Sequence, residues 1–214
     1  MNLPLLQSLL EQKSQELNLF SAGDRLKIGE KHLPDSLAVL EFWMVKKGAQ
    51  GMDVGTGGGL PGLALAVSCP EVKFTLVDAR EKKMKAVQQM IEALKLKNAS
   101  TLVGRLEELG HEKKYRERFD FVTARALAAL PVLLEYSSSF LKVGGHLYAW
   151  KGPEYLEELT TSQRAQAELG LLYRDSFIYS LAGSEERVIL RFEKVKSLSA
   201  SYPRRVGVPS AKPL

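Results

Sequence analysis

Cysteine is almost absent: Cys69 stands alone among 214 residues, so no internal disulfide can form. That usage fits a reducing compartment, and a cytoplasmic protein is expected. Long hydrophobic runs are missing too. No apolar stretch approaches the roughly 18 residues that a membrane helix requires. The first 19 residues place apolar side chains at positions 5, 6, 9, 10 and 17 with polar ones between. That is the pattern of an amphipathic helix rather than of a secretion signal. Neither Gly-Lys-Ser nor Gly-Lys-Thr occurs, which excludes a P-loop. No tyrosine is followed four residues later by lysine, which removes one common dehydrogenase constellation. No two of the nine prolines are adjacent, and the chain holds no internal repeat or low-complexity tract.

What is present is ordinary globular material, 45% hydrophobic and 26% charged, enough for one domain of good size. A net charge of +5 mildly favours polyanionic partners. The first third is helical in pattern over 4–18 and about 35–47, with Asp35 as the expected N-cap and Lys46-Lys47 before Gly48 as the stop. From residue 50 short apolar runs alternate with helical stretches. Strands are expected at 51–54, 72–78, 100–103, 119–125 and 145–150, and helices at 60–68, 81–96, 130–141 and 154–169. Residues 176–180 and 187–192 read as a closing antiparallel pair. This alternation implies an α/β fold, a doubly wound, Rossmann-like, mostly parallel sheet. A helical extension over 1–48, a core over 49–196 and a basic tail over 197–214 are the expected divisions.

The most informative stretch is Gly51-Met52-Asp53-Val54-Gly55-Thr56-Gly57-Gly58-Gly59-Leu60-Pro61-Gly62. An apolar strand end runs into a glycine-dense loop, and Pro61 then suits the first turn of a helix. In open α/β sheets, ligands bind beyond the carboxyl ends of the strands. Asp53 through Gly59 belong there, and so does Asp78 at the end of the next strand, where an acid typically holds ribose hydroxyls. Two adenosine-bearing cofactors use this layout, nicotinamide dinucleotides and S-adenosylmethionine. The order Asp-x-Gly-x-Gly-x-Gly, the helical segment ahead of it and the missing Tyr/Lys pair favour S-adenosylmethionine.

A methyl group on a sulfonium is displaced in line by an acceptor lone pair, so catalysis is largely positioning. The chain narrows the acceptor. Attack through a pyrimidine carbon usually requires a cysteine, and Cys69 lies at the far end of the helix after the glycine loop. Methylation of an exocyclic amine typically uses an Asn/Asp-Pro-Pro-aromatic loop after the fourth strand, and that loop here reads Thr123-Ala124-Arg125-Ala126. A ring nitrogen with a free lone pair, or a hydroxyl, remains.

At this point the motifs resemble those of the RsmG (GidB) family, bacterial methyltransferases that make 7-methylguanosine in 16S ribosomal RNA. The resemblance rests on His32-x-x-Asp35-Ser36-Leu37, Gly55 to Gly62, Phe74 to Asp78, Gly104 to Glu108, Ala124-Arg125-Ala126, Trp150 to Pro153 and the Tyr202-Pro203-Arg204-Arg205 … Lys212-Pro213-Leu214 ending. It runs through nearly the whole chain in order. Leu17-Asn18-Leu19-Phe20-Ser21 is the nearest match to the family's Trp-Asn … Asn-Leu-Thr segment, so the N-terminal region is shortened. The resemblance implies a class I methyltransferase fold with S-adenosylmethionine contacts at Gly55, Leu60, Leu106, Glu107 and Arg125. To these the corner itself adds Asp53, Gly57, Gly59 and Asp78. Arg125, Lys151 and His32 are the residues expected at the reacting base, and Arg204 and Arg205 the further cations expected on RNA. The implied partner is 16S ribosomal RNA or the 30S particle, with neither membrane nor metal. The alternatives are another RNA position, a small molecule, or an RNA-binding protein that shares the fold without turnover.

Overall fold

The computed structural model describes residues 2–17, 19, 22–25, 27–181 and 186–214. Of the segment Leu17-Asn18-Leu19-Phe20-Ser21, Asn18, Phe20 and Ser21 lie outside the described residues. Seven strands form one sheet: β1 (Gln50–Val54), β2 (Lys73–Asp78), β3 (Ala99–Val103), β4 (Phe119–Arg125), β5 (Leu141–Lys151), β6 (Leu171–Ser180) and β7 (Glu186–Lys194). Their order is β3-β2-β1-β4-β5-β7-β6. The first five pair in parallel, and β7 runs antiparallel between β5 and β6. The strand order reverses between β1 and β4, so their carboxyl ends flank a crevice.

Both faces of the sheet are buried, and the strands alternate between two cores. On β4 and β5, Val122, Leu147 and Ala149 face one core, with α7 (Leu130–Ser138) and α9 (Gln163–Leu169). Phe121, Tyr148 and Trp150 face the other, with α1 (Leu3–Leu17), α4 (Gly62–Ser68) and α5 (Glu81–Ala93). Parallel sheets take this form because their crossover helices cover both sides.

Two helices differ from the sequence expectation. The stretch 35–47 is not one helix. A π-helical turn, Ile28–His32, leads into α3 (Leu33–Leu37), and a 3-10 turn ends at Glu41. Helix α2 is the single turn Ala22–Arg25 ahead of them. Beyond residue 41, aromatic packing decides the path of the chain. Phe42 stacks on Phe177 at 5.9 Å and Trp43 on Tyr148 at 5.2 Å, while the Met44 amide donates to the Tyr148 hydroxyl at 3.1 Å. Asp35 does not cap this element, because the helix already starts at Leu33 and the carboxylate is used elsewhere. The stretch 154–169 breaks into α8 (Tyr155–Thr161) and α9. The hydroxyls of Thr160, Thr161 and Ser162 bond back to carbonyls of the preceding turn, a substitution that bends helices.

Candidate active site

The glycine loop leaves β1 with Gly55, Gly57 and Gly59 all at positive φ (66°, 56° and 100°). Side-chain-bearing residues visit that region at a cost. Gly57 and Gly59 have separate tasks. A Cβ at Gly57 would meet nothing closer than 3.9 Å, so this backbone borders open space. A Cβ at Gly59 would sit 2.5 Å from Leu63 Cδ1, so Gly59 packs the loop onto α4 and does not line the cleft.

Asp53 also departs from its expected role. It is fully buried beneath the loop. Its Oδ2 accepts from Thr56 Oγ1 at 2.5 Å and from the Gly62 amide at 2.9 Å, and its Oδ1 accepts from Thr123 Oγ1 at 2.8 Å. Burial pushes its carboxyl up to about 6, against the opposing pull of those bonds. Asp53 therefore shapes the loop and cannot touch a ligand in the cleft. Thr56 and Thr123 were not singled out in the sequence, since nothing local marks two threonines as partners of one acid.

The cleft has a volume of about 710 Å³. Gly55, Thr56, Gly57, Leu60, Asp78, Leu106, Glu107, Arg125 and His32 line it, so most of the expected residues meet there. Asp78 Oδ2 accepts from the Gly57 amide at 3.1 Å and its Oδ1 from the Arg80 amide at 2.8 Å. Each oxygen keeps capacity for a hydroxyl donor. Leu106 and Glu107 lie just past the third strand rather than on it. β3 stops at Val103, and the two residues open the single turn α6 (Leu106–Leu109). An open glycine cradle, a ribose-competent acid and an apolar wall at Leu60 fit S-adenosylmethionine.

Arg125 ends β4 across the crevice from Gly55. Its Nη1 donates to Asp35 Oδ2 at 2.7 Å and to the His32 carbonyl at 3.2 Å. Its Nε and Nη2 have no acceptor among the described residues. Asp35 is held further by Tyr179, whose hydroxyl donates to Oδ1 at 2.6 Å. Burial, then the Asp35 charge, push the Tyr179 phenol up, so it stays a donor. The Trp150 indole donates to the Asp35 carbonyl at 2.8 Å. Next to Arg125, Ala126 holds φ 53°, a strained value of the kind that concentrates at functional sites.

A second cavity of about 210 Å³ adjoins the cleft, lined by Asp35, Arg125, Ala126, Leu127, Ala128, Leu133, Trp150, Lys151, Gly152 and Arg187. Lys151 is no free cation in it. Its Nζ donates to Glu158 Oε2 at 2.6 Å and to the Ala128 carbonyl at 2.9 Å, and its side chain is only 7% exposed. Arg204 is likewise committed. It forms a forked pair with the fully buried Glu135, with Nη2 2.6 Å from Oε2. Arg205 is exposed. Among the described residues no group of three or more metal-ligating side chains occurs, and no helix is long and apolar enough to cross a membrane.

A family model described as rRNA small subunit methyltransferase G (GidB) matches residues 2–188. The chain belongs to this family. A ribosomal RNA small subunit methyltransferase G from Syntrophomonas wolfei is 39% identical over 213 residues, covering 100% of this chain and 99% of the relative. Another from Leuconostoc citreum is 39% identical over 208 residues, 96% of this chain and 87% of the relative. Among solved structures, a TehB-like SAM-dependent methyltransferase from Corynebacterium glutamicum superposes with a TM-score of 0.58 at 18% identity, covering 86% of this chain and 97% of that one. TYW2 from M. jannaschii, in complex with AdoMet, gives 0.60 at 13% identity, with 77% and 76% covered. These two show the fold. The protein is an S-adenosylmethionine-dependent methyltransferase of the GidB family.

Proposed function

We propose that this chain methylates nitrogen 7 of a guanine in 16S ribosomal RNA, as free RNA or in the 30S particle, in the cytoplasm. When bound, S-adenosylmethionine supplies an electrophilic methyl group for in-line displacement. Gly55, Gly57 and Asp78 would hold it, with Leu60 as the apolar wall and Leu106 and Glu107 at the adenine side.

The observation that carries the choice of acceptor is that the smaller cavity offers no unpaired carboxylate among the described residues. Among the described residues, the only carboxylate lining the smaller cavity is Asp35, and Arg125 and Tyr179 occupy it. An acceptor that must lose a proton calls for a base. Nitrogen 7 of guanine carries a lone pair and no proton, so positioning suffices. Transfer leaves positive charge on the purine, and a bare arginine beside it would oppose that step. Pairing Arg125 with Asp35 offsets the arginine's charge there. A bidentate arginine on nitrogen 7 and oxygen 6 would block the attacking lone pair. With Lys151 committed to Glu158, oxygen 6 falls to the remaining N–H groups of Arg125 or to a backbone amide. The target base must be splayed out to enter. Arg80, Lys83 and Arg105 line the cleft with no acid partner among the described residues, and with the exposed Arg205 they suit phosphate.

The test is incubation with methyl-labelled S-adenosylmethionine and under-methylated 16S RNA or 30S particles, followed by borohydride–aniline cleavage at 7-methylguanosine. Label at one guanine nitrogen 7 is expected. Label on RNA at another atom, or none, overturns the reading.

A further inference from the structure

The family model matches residues 2–188, and the chain beyond it, which the Syntrophomonas wolfei relative also covers, reaches the cleft. Residues 198–204 are clasped to the body. Arg116 donates to the carbonyls of Tyr202 at 2.7 Å, Ser199 at 2.9 Å and Leu198 at 3.1 Å. His111 Nε2 lies 2.8 Å from the Pro203 carbonyl, and the Arg204–Glu135 pair follows. These anchors carry the strap to α10 (Val208–Ala211), whose Ser210 lines the cleft. Gly207, at φ 81°, points its amide at Glu107 Oε1, 3.1 Å away. The Tyr136 hydroxyl donates to the same oxygen at 3.4 Å and sits 3.0 Å from the Ser210 hydroxyl.

We propose that this C-terminal strap is a working wall of the cofactor site, closing its adenine end by fixing the Glu107 carboxylate. The proposal rests on the S-adenosylmethionine reading of the cleft. Glu107 is only 6% exposed, and a buried carboxylate is costly unless donors hold it. Both of its recorded donors fall on Oε1, and one of them comes from the strap. Oε2 has no donor among the described residues. It is an acceptor at the end of a cleft whose other end is the glycine loop, and the exocyclic amine of adenine is a donor of matching polarity. Removing Gly207 and Ser210 leaves the carboxylate to reorient and lets water in at that end.

Two proteins test this, a chain ending at Val206 and the Tyr136→Phe variant, with S-adenosylhomocysteine and adenosine as probes in calorimetry without RNA. Loss of a hydrogen bond that orients a charged group predicts about tenfold weaker binding of both probes by the shortened chain and about threefold for Tyr136→Phe. Circular dichroism and the melting point of the unliganded proteins check folding. A folded shortened chain that binds both probes like the parent overturns the proposal. So does one that loses only S-adenosylhomocysteine, since the defect would then lie away from adenine. Should the shortened chain not fold, unchanged affinity in Tyr136→Phe overturns it alone. A parent that binds neither probe would instead refute the cofactor reading, and failure of methyl transfer to RNA leaves these affinities untouched.

Discussion

The two sides of the crevice are built by different means. On the β1–β3 side, one continuous stretch from Asp53 to Gly62 makes the cradle, and the decisive bonds span few residues, as from Asp53 to Thr56 and Gly62. On the β4–β7 side, the working groups are polar side chains brought together from distant segments: Arg125 on Asp35 and Tyr179 on Asp35. The first side holds by backbone geometry and tolerates little added volume. The second holds by pairing charges and should tolerate changes of shape better than changes of charge.

The largest effect is expected at Gly57. Gly57→Val places a branched side chain at φ 56° and into the open cleft, so S-adenosylhomocysteine binding should fall about a hundredfold, while the strain costs about 1–2 kcal/mol of stability. Calorimetry and urea unfolding read the two separately, and a larger stability loss than binding loss would merge Gly57 with Gly59. Asp35→Asn comes next. It removes the charge facing Arg125 but keeps an acceptor, so transfer should fall about tenfold with cofactor affinity intact. A fall in affinity instead would place Asp35 on the cofactor side.

A pH titration of stability probes Asp53. Burial raises its carboxyl from 3.8 to about 6, so between those values the folded chain keeps a proton that the unfolded chain has released. Its contribution to stability grows as pH falls through that window and is lost as pH rises through about 6. The span is about 3 kcal/mol. Urea unfolding of the parent and Asp53→Asn at several pH values should show the gap moving in the parent's favour toward pH 4, and a constant gap would contradict the burial argument. The smallest effect is expected at Lys151. Lys151→Met should change the salt dependence of RNA binding by less than about one phosphate contact, because its charge is already taken by Glu158.

The same division governs what could be read from the sequence. The parallel sheet, the glycine corner and Asp78 were legible because periodicity and glycine spacing are local signals. The expected helix over 35–47 was not, since stacking of Phe42 on Phe177 and Trp43 on Tyr148 depends on strands far along the chain. At the site, the sequence pointed to Arg125 and His32 but missed Tyr179, Glu158 and Tyr136, which gain meaning only from partners outside their own segments. It also assigned Asp53 to the ligand, since an acid before the first glycine reads the same from either side of the loop. Arg204 was misread for a related reason: its counter-charge, Glu135, is hidden in the middle of the apolar helix α7.

The most direct test of this division is made on one protein, Arg125→Ala. Its single-turnover rate of methyl transfer to small-subunit RNA should fall about a hundredfold, about 2.7 kcal/mol of transition-state stabilisation. Its affinity for S-adenosylhomocysteine should stay within about threefold of the parent. Equal losses of rate and cofactor affinity would show that Arg125 belongs to the cofactor cradle and would contradict the division.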